Sequence, residues 1–333
     1  MAIYRLGPMV HMKRKALKLT QEQLVEDFDK DNTEICSTQV LRRIEKGNVG
    51  KVKIEIFRKL MIKMGVLPER MYASLLVTDS KALNLKTEIH VHICHEEYEQ
   101  AEQKLQKLEE KMVPEYPRNQ QYLMERKATL DFNQGIISAE EYFNILWNAL
   151  KCTVPMLEEI DIAEWPFSVD EFEILDGIAI AYHRMGKREE ELEFLLKLKK
   201  NIEMKYMEQN QYVSLHSYVL SRLSQFMCIT DQYEKAMEYC EIGIEECRKQ
   251  NILGNVHRFM YDMAWYKENR IRRGILPEGE SLGQEEFIKK EREFCKKQLE
   301  QAYYLSVAQG DIFYGEKIKK LYEYFYPDEA KLL

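Results

Sequence analysis

The residues of this chain best suited to chemistry fall into three groups. Around position 40, Ser37, Thr38, Gln39, Arg42 and Arg43 gather hydroxyl, amide and guanidinium groups in one short stretch. Further on, Arg126, Arg222 and Asp262 each stand two residues before a small residue (Ala128, Ser224 and Ala264), and Gly177-x-Ala179 has the same form. With Tyr182, Tyr218 and Tyr266 near them in sequence, two arginines and an aspartate can clamp a carboxylate and a basic group beside rigid amphipathic rings. The same arginines can instead pair with acidic residues of neighbouring helices. In the third group, His90-Val-His92-Ile-Cys94-His95-Glu96 sets His92 near His95 and Glu96, and His90 near Cys94, as a transition metal would require. It matches no H-E-x-x-H pattern, and a His-rich helix start with a buried Cys94 accounts for it without metal. No G-x-G-x-x-G or Walker sequence occurs and no nucleophile stands beside a base, so the sequence predicts no catalytic residue, no cofactor and no metal site.

The elements that must position these groups are helices. The 333 residues include only 14 Gly and 8 Pro, too few turn-formers for an all-β sandwich or barrel, and the length allows two domains. From Gly7 to Leu17 the pattern predicts a short helix with a basic side of Lys13, Arg14, Lys15 and Lys18, broken at Leu19. Thr20-Gln-Glu-Gln23 is a capping box that opens a second helix, expected to reach about Phe28. In Ser37–Gly47, Val40, Leu41 and Ile44 share one face, Gly47 is the expected stop, and Ser37, Thr38, Gln39, Arg42 and Arg43 stay outside. A last short helix, Ile54–Met64, has Ile54, Phe57, Leu60, Met61 and Met64 at core spacing.

Charge divides the chain at the same place. Residues 1–70 hold 15 Lys/Arg against 9 Asp/Glu, leaving 34 basic and 47 acidic residues for the rest. A basic module on an acidic body suits contact with a polyanion through one end only. Leu-Thr-Gln-Glu-Gln-Leu (19–24) followed by Leu-Arg-Arg-Ile-Glu-Lys-Gly (41–47) resembles the XRE/Cro-type helix-turn-helix over residues 5–66. The resemblance implies that the helix after Ser37 is a recognition helix, with Gln21, Ser37, Thr38, Gln39 and Arg42 facing double-stranded operator DNA. Gln suits adenine, Ser and Thr reach phosphates or bases, and Arg42, Arg43, Lys46 and Lys51 suit the backbone. The stretch Leu24 to Ile35 is longer than that family's usual path between its central helices, so the register of the recognition helix can differ by a residue or two.

Beyond a connection with Pro68 and Thr78-Asp-Ser80 the chain repeats. Taking Tyr98, Glu141, Arg188 and Tyr233 as equivalent gives spacings of 43, 47 and 45, a fixed-period array of helix pairs. The pairs after the first are expected at 119–151, 168–205, 212–249 and from Leu253 onward, with an insertion at 152–167 and a closing helix Asp311–Phe325. Ser138 with Glu141 and Ser168 with Glu171 are further capping boxes. These units resemble tetratricopeptide repeats, and helix-turn-helix followed by such repeats resembles the RRNPP peptide-responsive, quorum-sensing regulators of Gram-positive bacteria. Ile178–Gly186 and Ala302–Asp311 are similar to a clostridial group of these.

The resemblance implies an all-α fold: residues 1–66 a helix-turn-helix domain, 67–86 a linker, and 87–333 a right-handed superhelix of tetratricopeptide-like pairs. It implies a transcription regulator, not an enzyme, that binds DNA and a short signalling peptide and forms a homodimer. The peptide would lie on the concave surface, where similar regulators often carry Asn and this chain has Arg126, Gly177, Arg222 and Asp262; Tyr182, Tyr218 and Tyr266 are expected beside it. The competing reading is an interaction scaffold with a vestigial helix-turn-helix. No window reaches 18 consecutive apolar residues, the start MAIYRLGPMVHMKRK is no signal peptide, and the seven cysteines form no C-x-x-C pair. The expected location is the cytoplasm, away from membranes.

Overall fold

The computed structural model describes residues 7–26, 35–46, 54–64, 75–165, 167–205, 210–249, 251, 253–275 and 284–327. Helix α1 (Gly7–Ala16) stops where Lys18 takes a φ of 55° and the Lys18 and Leu19 N–H groups return to the Lys15 and Arg14 carbonyls. Thr20 then caps α2 (Gln21–Val25) through both halves of the predicted box: its Oγ1 accepts the Gln23 N–H at 3.1 Å, and Gln23 Oε1 accepts the Thr20 N–H at 2.7 Å. The helix is shorter than the apolar pattern suggests, because Glu26 already has extended backbone. Phe28, Gly47 and Lys51 lie outside the described residues. Ser37 caps α3 (Thr38–Glu45) by accepting the Val40 N–H at 3.3 Å, and α4 (Ile54–Lys63) follows. Leu24, Val25, Leu41, Ile44, Leu60, Met61 and Met64 are buried, and α3 packs on α1 and α2.

A short 3₁₀ turn, Ser80–Leu83, leads into the helix pairs. They are α5 (Asn84–Cys94) with α6 (Tyr98–Glu109), α7 (Pro117–Asn133) with α8 (Ala139–Lys151), and α9 (Val169–Arg184) with α10 (Arg188–Lys205). Next come α11 (Asn210–Ile229) with α12 (Tyr233–Lys249), α13 (Val256–Arg272) with α14 (Gln284–Ala308), and the closing helix α15 (Ile312–Phe325). Ser138 and Ser168 form their capping boxes with Glu141 and Glu171 as expected. The second helices begin at Tyr98, Ala139, Arg188 and Tyr233, so the position equivalent to Tyr98 is Ala139; Glu141, two residues later, is the box partner inside the helix.

One local device builds every pair. The first helix ends in a reversal whose N–H groups return to its last turn, with a left-handed residue at the corner (Glu96, Gly135, Gly186, Asp231 and Gly274), and Gly310 makes the same turn between α14 and α15, all at φ between 61° and 74°. Glycine is the cheap choice there; Glu96 and Asp231 hold the same shape at some backbone cost.

The chain forms two compact units, Met1–Lys197 and Leu198–Leu333. In the first, α7 packs on both α8 and α9, and the core of the first pairs includes Ile89, Ala101, Leu105, Leu108 and Leu130. The insertion is part of this unit: Val154, Leu157, Ala163, Trp165 and Phe167 are buried, and Thr153 accepts from Gln121 Nε2 and donates to Glu171, both at 2.6 Å. In the second unit α13 packs on α11, α12, α14 and α15. Cys240 and Cys247, seven residues apart and so on one side of α12, belong to its core.

Candidate functional site

Helix α3 is held by one buried carboxylate. Leu41 and Glu45 are one helical turn apart, so the turn that buries the leucine buries the glutamate with it. Three polar groups meet Glu45 there: Arg14 Nε donates to Oε1 at 2.6 Å and Nη2 to Oε2 at 3.0 Å, Gln21 Nε2 donates at 2.8 Å, and His11 Nδ1 lies 3.0 Å away. Burial raises the Glu45 carboxyl, but hydrogen bonds from Arg14, His11 and Gln21 outweigh it and keep it below the ordinary carboxylate range. Arg14 also donates to the Leu19 carbonyl at 2.9 Å, tying the α1–α2 corner into the same network. The sequence reading misses this network, although the Leu41–Glu45 spacing is its visible signal.

The network leaves one face of α3 outward. Gln39, Arg42, Arg43 and Lys46 are exposed, Ser37 is an exposed cap, and Thr38 is half-buried. Gln21 is half-buried, with its amide engaged on Glu45. A concavity of about 960 Å³ opens beside them, lined by Lys15, Lys18, Gln21, Arg42 and Lys46 among others. The expected basic side of α1 is thus divided. Lys15 and Lys18 are exposed, Arg14 is buried on Glu45, and Lys13 is fully buried with Nζ 4.4 Å from the centre of the Trp165 ring. A lysine counted on the basic surface is instead a cation–π contact with the insertion between repeats.

The residues expected to hold a ligand are distributed over both units. In the first, Arg126 is buried, its Nε lies 2.8 Å from Glu125 Oε2, and its Nη2 binds Glu173. Beside it, Arg118 and Lys86 both reach Asp170 at 2.7 Å. Burial raises Asp170, yet the two cations outweigh it and hold the carboxyl below its usual range; Glu125, more deeply buried, is pushed up despite Arg126. Tyr182 packs between Phe143 and Phe194, with ring centres 5.2 Å and 5.6 Å away.

In the second unit Tyr266 is a core residue whose hydroxyl lies 2.9 Å from Ser224 Oγ. Tyr218 is 37% exposed and Arg222 half-buried. Asp262 is buried and accepts from Ser221 Oγ at 3.3 Å; burial pushes its carboxyl up to about 7, against the pull of Ser221, Arg222 and Arg258. Arg258, which the repeat alignment passes over, stacks on Tyr218 one turn before Asp262.

The histidine cluster lies at the end of α5, not at a helix start, and Cys94 is exposed rather than buried. His92 Nδ1 is 2.6 Å from Glu97 Oε2, and Cys94 Sγ is 3.6 Å from His90 Nε2. Among the described residues no three His, Cys, Asp or Glu side chains gather as metal ligands, and no helix is long and apolar enough to cross a membrane.

Neither a family model nor a curated protein matches the sequence. Solved structures do match in fold, over almost the entire chain. PlcR of Bacillus thuringiensis, in complex with the peptide PapR7 and DNA, superposes with a TM-score of 0.56 at 17% identity, over 94% of this chain and 98% of that one. Apo PlcR gives 0.51 at 14%, covering 93% and 98%. ComR from S. thermophilus, in complex with DNA and its signalling peptide ComS, gives 0.50 at 13%, covering 95% and 97%. The chain therefore has an all-α architecture in which a helix-turn-helix module precedes tetratricopeptide-like helix pairs. PlcR and ComR share that architecture.

Proposed function

We propose that the chain is a transcription regulator that binds operator DNA through α3 and a short peptide through its helix pairs, and acts as a homodimer in the cytoplasm. The observation that carries the reading is the outward face of α3. Gln39, Arg42, Arg43 and Lys46 stand exposed beside a basic concavity, on a helix whose inner side is locked by the Arg14–Glu45–Gln21 network. That arrangement suits a rigid reading head: Gln39 offers a bidentate amide to a base edge, and the cations and the hydroxyls of Ser37 and Thr38 suit phosphates. Gln21 contributes by orienting Glu45, and the second hydrogen of its Nε2 can donate to a phosphate. PlcR and ComR, solved with both DNA and peptide, supply the analogy for the second ligand.

A two-fold dimer would set two copies of α3 on half-sites separated by whole helical turns of DNA. Peptide binding would act by favouring one spacing of the two reading heads, which requires that the peptide bind one arrangement better than the other. The test is binding of the purified protein to the DNA upstream of its own coding region and to a scrambled fragment. Preference for the upstream fragment, lost in Gln39→Ala/Arg42→Ala, is the expected result. Equal weak binding to both fragments would favour a protein-interaction scaffold with a vestigial helix-turn-helix.

A further inference from the structure

Helix α1 carries a histidine on the side that borders the reading head. His11, Arg14, Lys15 and Lys18 are spaced so that they share one side of the helix and of the turn that ends it. Arg14 is buried on Glu45, and the other three are exposed beside the concavity that Arg42 and Lys46 border from α3. The His11 side chain is 47% exposed and that of Glu45 only 4%, so the imidazole spans the edge between the buried network and the open surface.

Glu45 fixes the ring. Its Oε2 meets His11 Nδ1 at 3.0 Å, Gln21 Nε2 at 2.8 Å and Arg14 Nη2 at 3.0 Å, so the imidazole and the Gln21 amide stand side by side on one carboxylate oxygen. Both hydrogen bonds of His11 with described residues run through Nδ1, the second to Arg14 Nη2 at 3.3 Å. Nε2, across the ring, is left for a ligand in the concavity. Two donors can therefore meet one incoming oxyanion: the second hydrogen of Gln21 Nε2 and an Nε2–H of His11. The imidazole is the stronger donor when charged, with one N–H held by Glu45 and the other turned outward. Glu45 and Glu22 favour that form, and Arg14, Lys15 and Lys18 together with Arg42 and Lys46 oppose it. An arriving phosphate adds its charge to the carboxylates' side.

We propose that His11 is a DNA-contacting residue: oriented by Glu45 and flanked by Gln21, it holds a backbone phosphate as an imidazolium, so that operator binding takes up a proton. The inference rests on the reading of α3 as a DNA-binding helix and adds to it a pH-sensitive contact from α1. Histidine changes charge between about pH 5 and 8, so the contact is strong on the acid side of neutrality and weak on the other.

The test is binding of the full-length protein to the upstream DNA fragment at pH 6 and pH 8 over a range of salt. The wild type is set against His11→Gln, which keeps a donor for Glu45 without a titrating charge. The wild type should bind about three- to five-fold more tightly at pH 6, with a slope of log affinity against log salt steeper by about 1 than at pH 8. His11→Gln should show one affinity and one slope at both pH values, with helicity unchanged. His11→Arg, charged throughout, should keep the steeper slope at pH 8. A pH dependence absent from the wild type, or retained in full by His11→Gln, would overturn the phosphate contact and leave the reading head standing. Binding to no DNA at either pH would overturn the reading head, and the contact with it.

Discussion

Arg126 and Arg258 occupy similar places, each on the first helix of a pair with acidic residues close by, yet their surroundings differ. In the first unit each cation lies close against acids: Arg126 with Glu125 and Glu173, Arg118 and Lys86 with Asp170, and the Tyr122 ring beside both Lys86 and Arg126. In the second, Arg258 reaches its acid only at 3.7 Å and lies against tyrosines. The two aspartates report the contrast: Asp170 is held below its ordinary range, whereas Asp262 is pushed up to about 7. A buried cation held closely between acids is a structural joint, while a partly exposed one with a longer ion pair contributes less to the fold.

The largest expected effect is on folding. Arg126→Met leaves the buried Glu125 without its cation and should cost about 3–5 kcal/mol, whereas Arg258→Met removes a long, partly exposed contact and should cost less than about 1 kcal/mol. Equal losses in denaturant unfolding would erase the distinction. Close packing gives the next test. A methyl at Gly243 would meet the buried Phe259 ring at 2.3 Å, and one at Gly177 would meet Leu146 Cδ1 at 2.6 Å and the Tyr142 hydroxyl at 2.9 Å. Gly243→Ala should therefore cost more than Gly177→Ala, within a range of about 1–3 kcal/mol, since a leucine end moves more readily than a ring in a core.

The aspartates should then respond to pH with opposite signs. Asp262 titrates higher in the folded chain than in the unfolded one, so its contribution favours folding at low pH and is lost as pH rises through about 7. Asp262→Asn should raise the thermal midpoint by a few degrees at pH 8 relative to its effect at pH 5. Asp170 titrates lower when folded, so its contribution is present at neutral pH and lost on acidification through its folded value. Asp170→Asn should lower the midpoint at pH 7, with the deficit shrinking in acid. Same-sign effects at pH 7 and above would contradict the contrast. Smallest is Gly186→Ala: its φ of 71° disfavours a side chain although nothing lies within 4 Å of the added methyl, so about 1 kcal/mol is expected.

The local rules read well from sequence because their partners are near in the chain. Capping boxes at Thr20, Ser138 and Ser168 join residues three apart, and Gly135 and Gly186 mark turns through a property of glycine itself. Pairing across helices was less legible. Arg126 meets Glu173, 47 positions away, and Lys13 meets Trp165; both follow from the register between elements, which apolar periodicity leaves open. For the same reason apolar spacing does not single out Arg258. Aligning the repeats on a small residue selects Asp262 and Tyr266, both buried, while the more accessible arginine lies one turn earlier and is defined by rings from α11 and α15. The end of α2 is not marked in the sequence, because an apolar pattern shows where a helix can be buried, not where its backbone stops.

The salt dependence of binding to the upstream DNA fragment tests the central claim most directly, with the wild type set against Arg42→Ala, Arg43→Ala and Gln39→Ala. Phosphate contacts by Arg42 and Arg43 predict that each arginine variant lowers the slope of log affinity against log salt by about 1, while Gln39→Ala reduces sequence preference and leaves the slope unchanged. Four identical slopes with no preference for the upstream fragment would contradict the assignment of α3 as the reading head.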